Sequence, residues 1–169
     1  IAALILKEKN LLDFNDPVSK YIPALKNLMC KSKAGIIPCK NEIKIIDLIT
    51  HLSGLSYYKD FMLDGMRAEG LEDLMEDIAE QPLEFEPGER YFYGLGHDVL
   101  GRVIEVVSGV SFQAFMQTYI FEPLEMNHTK FFLTPKEKEL MLPLFVRNEK
   151  IEGFNETGIT GINDLITYD

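Results

Sequence analysis

Pro87-Gly88-Glu89-Arg90-Tyr91-Phe92-Tyr93-Gly94-Leu95-Gly96-His97-Asp98-Val99-Leu100-Gly101 sets a Tyr-Gly-Leu-Gly turn directly ahead of an amphipathic helix. Beyond the turn, Val99, Leu100, Val103, Ile104 and Val107 recur at three-to-four spacing, with Arg102 and Glu105 on the opposite face. Such a helix is anchored by its apolar stripe, so the turn before it can hold the phenol of Tyr93 rigidly at the mouth of a cleft. Gly109 suits a left-handed C-terminal cap, and Ser111 suits the N-cap of a following helix. That next helix repeats the pattern with Phe112, Phe115, Met116, Tyr119 and Ile120.

Working outward, Ile1 to Lys9 reads as the tail of a buried helix. Asp16-Pro17-Val18 carries a start signal for a short helix that stops before Pro23. Residues 26 to 42, with Gly35, Pro38 and scattered Lys and Asn, read as a loop. Ile43 to Thr50 is expected to be helical and to close at Ser53-Gly54, and Leu71 to Ala79 is an acidic amphipathic helix ended by Pro82. Pro135 to Leu142 reads as one more helix. Leu144-Phe145-Val146-Arg147 and Lys150-Ile151-Glu152, flanking Asn148-Glu149, suggest a hairpin. The last dozen residues alternate Gly, Thr and Ile and stop mid-pattern. There are no repeats or low-complexity linkers, so residues 1–169 are expected to be one mainly α unit with at most a short β-hairpin near the C-terminus. A start at Ile and the unfinished final pattern make both ends read as cut.

The chain has 169 residues, 46% of them hydrophobic, which is enough for a core and too polar for a membrane protein. No apolar run approaches the ~20 residues that span a bilayer. Ile1-Ala2-Ala3-Leu4-Ile5-Leu6 makes a poor signal peptide, because no basic segment precedes it and no small-residue cleavage site follows. As an apolar stub it is expected to promote self-association. The net charge of −10 repels phosphate backbones, which argues against nucleic-acid binding. Cys30 and Cys39 fit either a bridge across a short loop or two free thiols, and they leave the compartment open. His51, His97 and His128 stand far apart, with no partner at metal-ligand spacing.

Four segments in succession carry a family resemblance. Leu12-Asp13-Phe14-Asn15-Asp16-Pro17-Val18-Ser19-Lys20-Tyr21-Ile22-Pro23 comes first, followed by Pro38 through Leu55, which ends in Thr50-His51-Leu52-Ser53-Gly54-Leu55. The Tyr93 segment is third, and Phe121-Glu122-Pro123-Leu124-Glu125-Met126 is fourth. Together they resemble serine hydrolases of the class C β-lactamase and penicillin-binding-protein type, the esterases on that fold included. Leu52 stands where that pattern usually has Thr, and Glu125 where it has Gly. The resemblance runs from about Leu4 to Thr134 and more weakly to the end. It implies the helical region of the α+β β-lactamase/transpeptidase-like fold.

The resemblance also implies acyl-enzyme chemistry. A serine hydroxyl is a weak nucleophile and must lose its proton as it attacks. A tyrosine near its usual pKa of about 10 is a poor base, unless a neighbouring lysine cation stabilises the phenolate. Tyr93 is the matching catalytic tyrosine. Leu95 occupies the place of an asparagine amide in the penicillin-recognising members, so it is the substrate-binding candidate and favours an apolar acyl or alcohol group. Ser56-Tyr57-Tyr58-Lys59 satisfies Ser-x-x-Lys literally, but it follows a turn rather than opening a buried helix. The family's serine and lysine are expected a few residues before Ile1. Ser53 and His51 belong to a turn with a structural role. No metal or organic cofactor is implied, and the substrate is a small ester or a β-lactam-like amide. On this reading residues 1–169 alone are inert. The rival readings are a D-alanyl-D-alanine peptidase or true β-lactamase, and a catalytically dead homologue serving as a scaffold.

Overall fold

The Gly96–Ser108 helix is the axis around which the larger part of the molecule packs. Its stripe residues Val99, Val103 and Ile104 are buried, and the helix lies against the helices Ala2–Glu8, Ile45–Ile49, Leu71–Ala79 and Phe112–Met116. Full burial of one such aliphatic side chain contributes roughly 1.5–3 kcal/mol, so this stripe dominates the local energetics. The computed structural model describes residues 1–57 and 70–142, and the backbone of 145–147 and 154–156. It divides into two units, Ile1–Met126 and Asn127–Asp169.

The caps fall where the side chains allow them. Gly109 adopts φ 73° and closes the long helix by donating to Glu105 O at 2.8 Å. Ser111 Oγ accepts from Ala114 N at 3.2 Å and starts the next helix. That helix widens over Gln117–Phe121, with Glu122 N bonded to Gln117 O at 3.0 Å, five residues back. The segment after Asp16 is a single tight turn, Val18–Lys20, rather than a longer helix. Asp16 turns away from the cap and pairs with Lys20 at 2.8 Å. Of the N-terminal helix, Ala2, Ala3 and Leu6 are buried, whereas Ile1 and Leu4 stay exposed. Among the described residues no single helix is long and apolar enough to cross a membrane.

The expected confinement of β-structure to one hairpin near the C-terminus is overturned. An antiparallel pair, Met29–Ser32 with Gly35–Pro38, forms inside the stretch that reads as a loop. Of its first strand only Cys30 is buried, so no alternation marks it in the sequence. Its reason to exist is tertiary: Lys31 N donates to Leu83 O, and Leu83 N to Met29 O, both at 2.8 Å. Gly35, the first residue of the second strand, takes φ 110° as the chain leaves the turn, a conformation that disfavours a side chain. In the smaller unit, Phe145–Arg147 pairs antiparallel with Phe154–Glu156, so the partner strand is not Lys150–Glu152. The helix begun by Pro135 ends at Lys138, not Leu142, with Thr134 Oγ1 accepting from Glu137 N at 3.3 Å. The alternating final residues lie outside the described residues.

Cys30 and Cys39 form a disulfide across the hairpin, nine residues apart. Closing a loop of that size stabilises the folded state by about 2–3 kcal/mol in the chain-entropy picture. Reduction, or Cys30→Ser with Cys39→Ser, is therefore expected to lower the urea midpoint by a corresponding amount. An unchanged midpoint under dithiothreitol would count against the bridge.

Candidate active site

Two segments far apart in sequence build the site by lying side by side. Gly54 O accepts from Glu84 N at 2.8 Å, Leu52 O from Gly88 N at 2.9 Å, and His51 O from Phe92 N at 2.9 Å. The irregular run from Glu84 to Phe92, which turns at Pro87-Gly88, is thus laced onto the turn that follows the Ile45–Ile49 helix. That turn holds His51 at φ 56° and Gly54 at φ 80°. At Gly54 a Cβ would stand 2.8 Å from Phe85 O, and at Gly94 one would stand 2.1 Å from Leu55 O. The backbones touch, and only glycine permits it. Gly96 then opens the long helix against Leu48, where a Cβ would be 3.2 Å from Leu48 O.

Tyr93 projects from this lacing with 57% of its surface exposed. Its ring lies 4.7 Å from His51 and 5.8 Å from Tyr57, centroid to centroid. His51 also meets His97 at 4.4 Å and Tyr91 at 5.8 Å. Burial, and then a hydrogen bond with Tyr93, pushes the Tyr57 hydroxyl up to about 12. Tyr57 therefore stays protonated at working pH, as a neutral phenol bonded to Tyr93. Burial also raises the Asp98 carboxyl above its ordinary value, next to His97. Burial holds the His51 imidazole below its ordinary 6.5, and His97 opposes its protonation further.

This arrangement, a rigid exposed phenol beside a half-buried imidazole and a neutral phenol, sits on a chain whose residues 1–140 match the Beta-lactamase family model. The chain belongs to the β-lactamase family. A Salmonella heidelberg protein named as a D-alanyl-D-alanine carboxypeptidase is 30% identical over 125 residues, 71% of this chain and 28% of the relative. The chain therefore spans under a third of that relative's length. Among solved structures, EstCE1, described as a hydrolase with promiscuous acyltransferase activity, superposes with a TM-score of 0.75 at 24% identity. That match covers 94% of this chain and 42% of EstCE1, and shows a shared fold. FmtA from Staphylococcus aureus matches at 26% identity with a TM-score of 0.71, over 94% of this chain and 41% of FmtA.

The residues singled out from sequence take different places in this β-lactamase-family site. Leu95 is 4% exposed and packs in the hydrophobic core at the head of the long helix. Ser53 is 1% exposed, and its Oγ accepts from Leu55 N at 3.4 Å within the turn. Ser56 lies outside any helix, and Tyr58 and Lys59 of its motif fall outside the described residues. Among the described residues no cluster of His, Cys, Asp or Glu is arranged to hold a metal ion. Tyr57 and His97 are the site residues that sequence reasoning missed. His97 sits one helical position from the tyrosine turn and Tyr57 just past the Ser53-Gly54 turn, but only the lacing brings them together.

Proposed function

We propose that these residues supply the tyrosine arm of a serine hydrolase that works through an acyl-enzyme, with short-chain esters as its preferred substrates. The observation that carries this is Tyr93, exposed and hydrogen-bonded by a phenol that stays neutral, on a backbone fixed by Gly94 and Gly96. In the reaction a serine oxygen bonds to the carbonyl carbon while its proton passes to the Tyr93 oxygen. The tetrahedral adduct then collapses, the bond to the leaving alcohol breaks, and Tyr93 returns the proton to that alcohol. Water repeats the sequence on the acyl-enzyme and releases the acid. The carboxypeptidase name of the Salmonella relative and the acyltransferase activity in the description of EstCE1 support this reading, since each denotes a reaction at an acyl carbon.

Ester substrates are preferred over β-lactam amides because Leu95, packed in the core, stands at the position where the penicillin-recognising members carry an asparagine, so no side-chain amide is offered there to an acylamino group. Ser53 is locked in its turn, and Ser56 does not begin a helix, so neither is the nucleophile. Residues 1–169 alone are expected to turn over no substrate. A panel of p-nitrophenyl acyl esters, a chromogenic cephalosporin and a D-Ala-D-Ala peptide, run on a protein of the relatives' length carrying these residues, tests the preference. Ester hydrolysis at least tenfold faster than either amide is expected. Faster cephalosporin or peptide turnover would refute it.

A further inference from the structure

His51 takes part in no chemical step above, yet it stands where the site's elements cross. Its φ of 56° is left-handed, a conformation that Gly or Asn adopts at lower cost. Its carbonyl fixes the height of the neighbouring segment through Phe92 N, and its ring meets Tyr93 on one side and His97 on another. Its Nδ1 is buried and has no hydrogen-bond partner among the described residues. Leaving a polar atom unsatisfied in that way costs about 1–3 kcal/mol. A turn whose sole task is to reverse the chain needs neither the ring nor that penalty.

We propose that His51 is the positioning residue of Tyr93: its neutral imidazole sets where the phenol stands, and protonating it releases the phenol. The inference rests on the reading of Tyr93 as proton carrier. The titratable groups around His51 are Tyr91 and Tyr93 from the segment before the long helix, and His97 from that helix's first turn. Asp98 adjoins His97, and Tyr57 lies on the further side of Tyr93. Among these described residues none is a carboxylate that meets the His51 ring, so a proton added to His51 finds no counter-charge and faces His97 instead. The sign follows. A histidine whose folded-state pKa is depressed gives its full stabilisation above its ordinary 6.5, and loses it as pH falls through the folded value.

The test is NMR titration of the full 169-residue chain, labelled with carbon-13 in its tyrosine and histidine rings, from pH 8 to pH 5. The Tyr93 ring signals are expected to move in one step, with a midpoint below 6.5 that coincides with the His51 ring's own. His97→Gln is expected to raise that midpoint, because it removes the neighbour that opposes protonation of His51. His51→Asn, chosen because Asn tolerates a left-handed φ, is expected to abolish the step at Tyr93. A flat Tyr93 titration in the parent chain, or a step that persists in His51→Asn, overturns the proposal. Should His51→Asn fail to fold, an unmoved midpoint in His97→Gln overturns it equally. Tyr93→Phe activity decides the proton-carrier reading separately: full activity there would sink that reading and leave standing the ring coupling that the titration reads.

Discussion

Tyr93→Phe, made in a protein of the relatives' length, is expected to lower kcat by about 10²–10⁴ while KM moves little, because general acid–base transfer contributes on that scale. Phenylalanine keeps the ring and its contacts to His51 and Tyr57, and removes the one oxygen that can exchange a proton. The side chain is 57% exposed, so the substitution is expected to leave the melting temperature within a degree or two. Loss of turnover with unchanged stability is the signature of a chemical role. A variant that keeps more than a third of parental kcat would show that the proton travels by another route.

Gly94→Ala is expected to produce the largest stability loss of any single change near the site. The added Cβ would stand 2.1 Å from Leu55 O, backbone against backbone, so no side chain can rotate away to admit it. Overpacking of that kind costs about 1–3 kcal/mol and often more. For a chain of this size the melting temperature should fall by roughly 5–10 °C. The lacing between the Thr50–Leu55 turn and the Glu84–Phe92 run must part, and Tyr93 moves with it. Gly88→Ala is the matched control. Unlike Gly94 it has a left-handed φ, 88°, and no atom lies within 4 Å of its would-be Cβ, so only the backbone strain of about 1 kcal/mol is expected. Thermal unfolding of the two variants side by side separates crowding from strain. Equal losses would mean that the contact at Leu55 does not hold the turn.

The part of the fold legible in the sequence is the part set by local periodicity. Val99, Val103 and Ile104 mark the long helix because each repeats on one face, and Gly109 and Ser111 mark its end and its successor. The Met29–Ser32 strand was illegible because one buried residue in four carries no pattern, and its partner Leu83 is more than fifty residues away. The site shows the same division. The place of Tyr93 at a tight turn ahead of the long helix was readable from the glycines beside it. Tyr57, His97 and the ring contacts of His51 were not, since nothing local says that two turns so far apart will be bonded edge to edge. Leu95 was readable as a departure from the asparagine pattern. Its burial follows from its place at the head of a helix whose first turn packs on Leu48.

The most direct test of the acyl-enzyme reading is intact-mass analysis with peptide mapping after incubation with a fluorophosphonate probe. It is run on the 169-residue chain and on a protein of the relatives' length that contains it. The expected result is no adduct on the 169-residue chain and one stoichiometric adduct on the longer protein, at a serine that is none of those in residues 1–169. A stoichiometric adduct at Ser56 in either protein would contradict the account, because it would put the nucleophile on the turn beside Tyr57 and not on a separate helix.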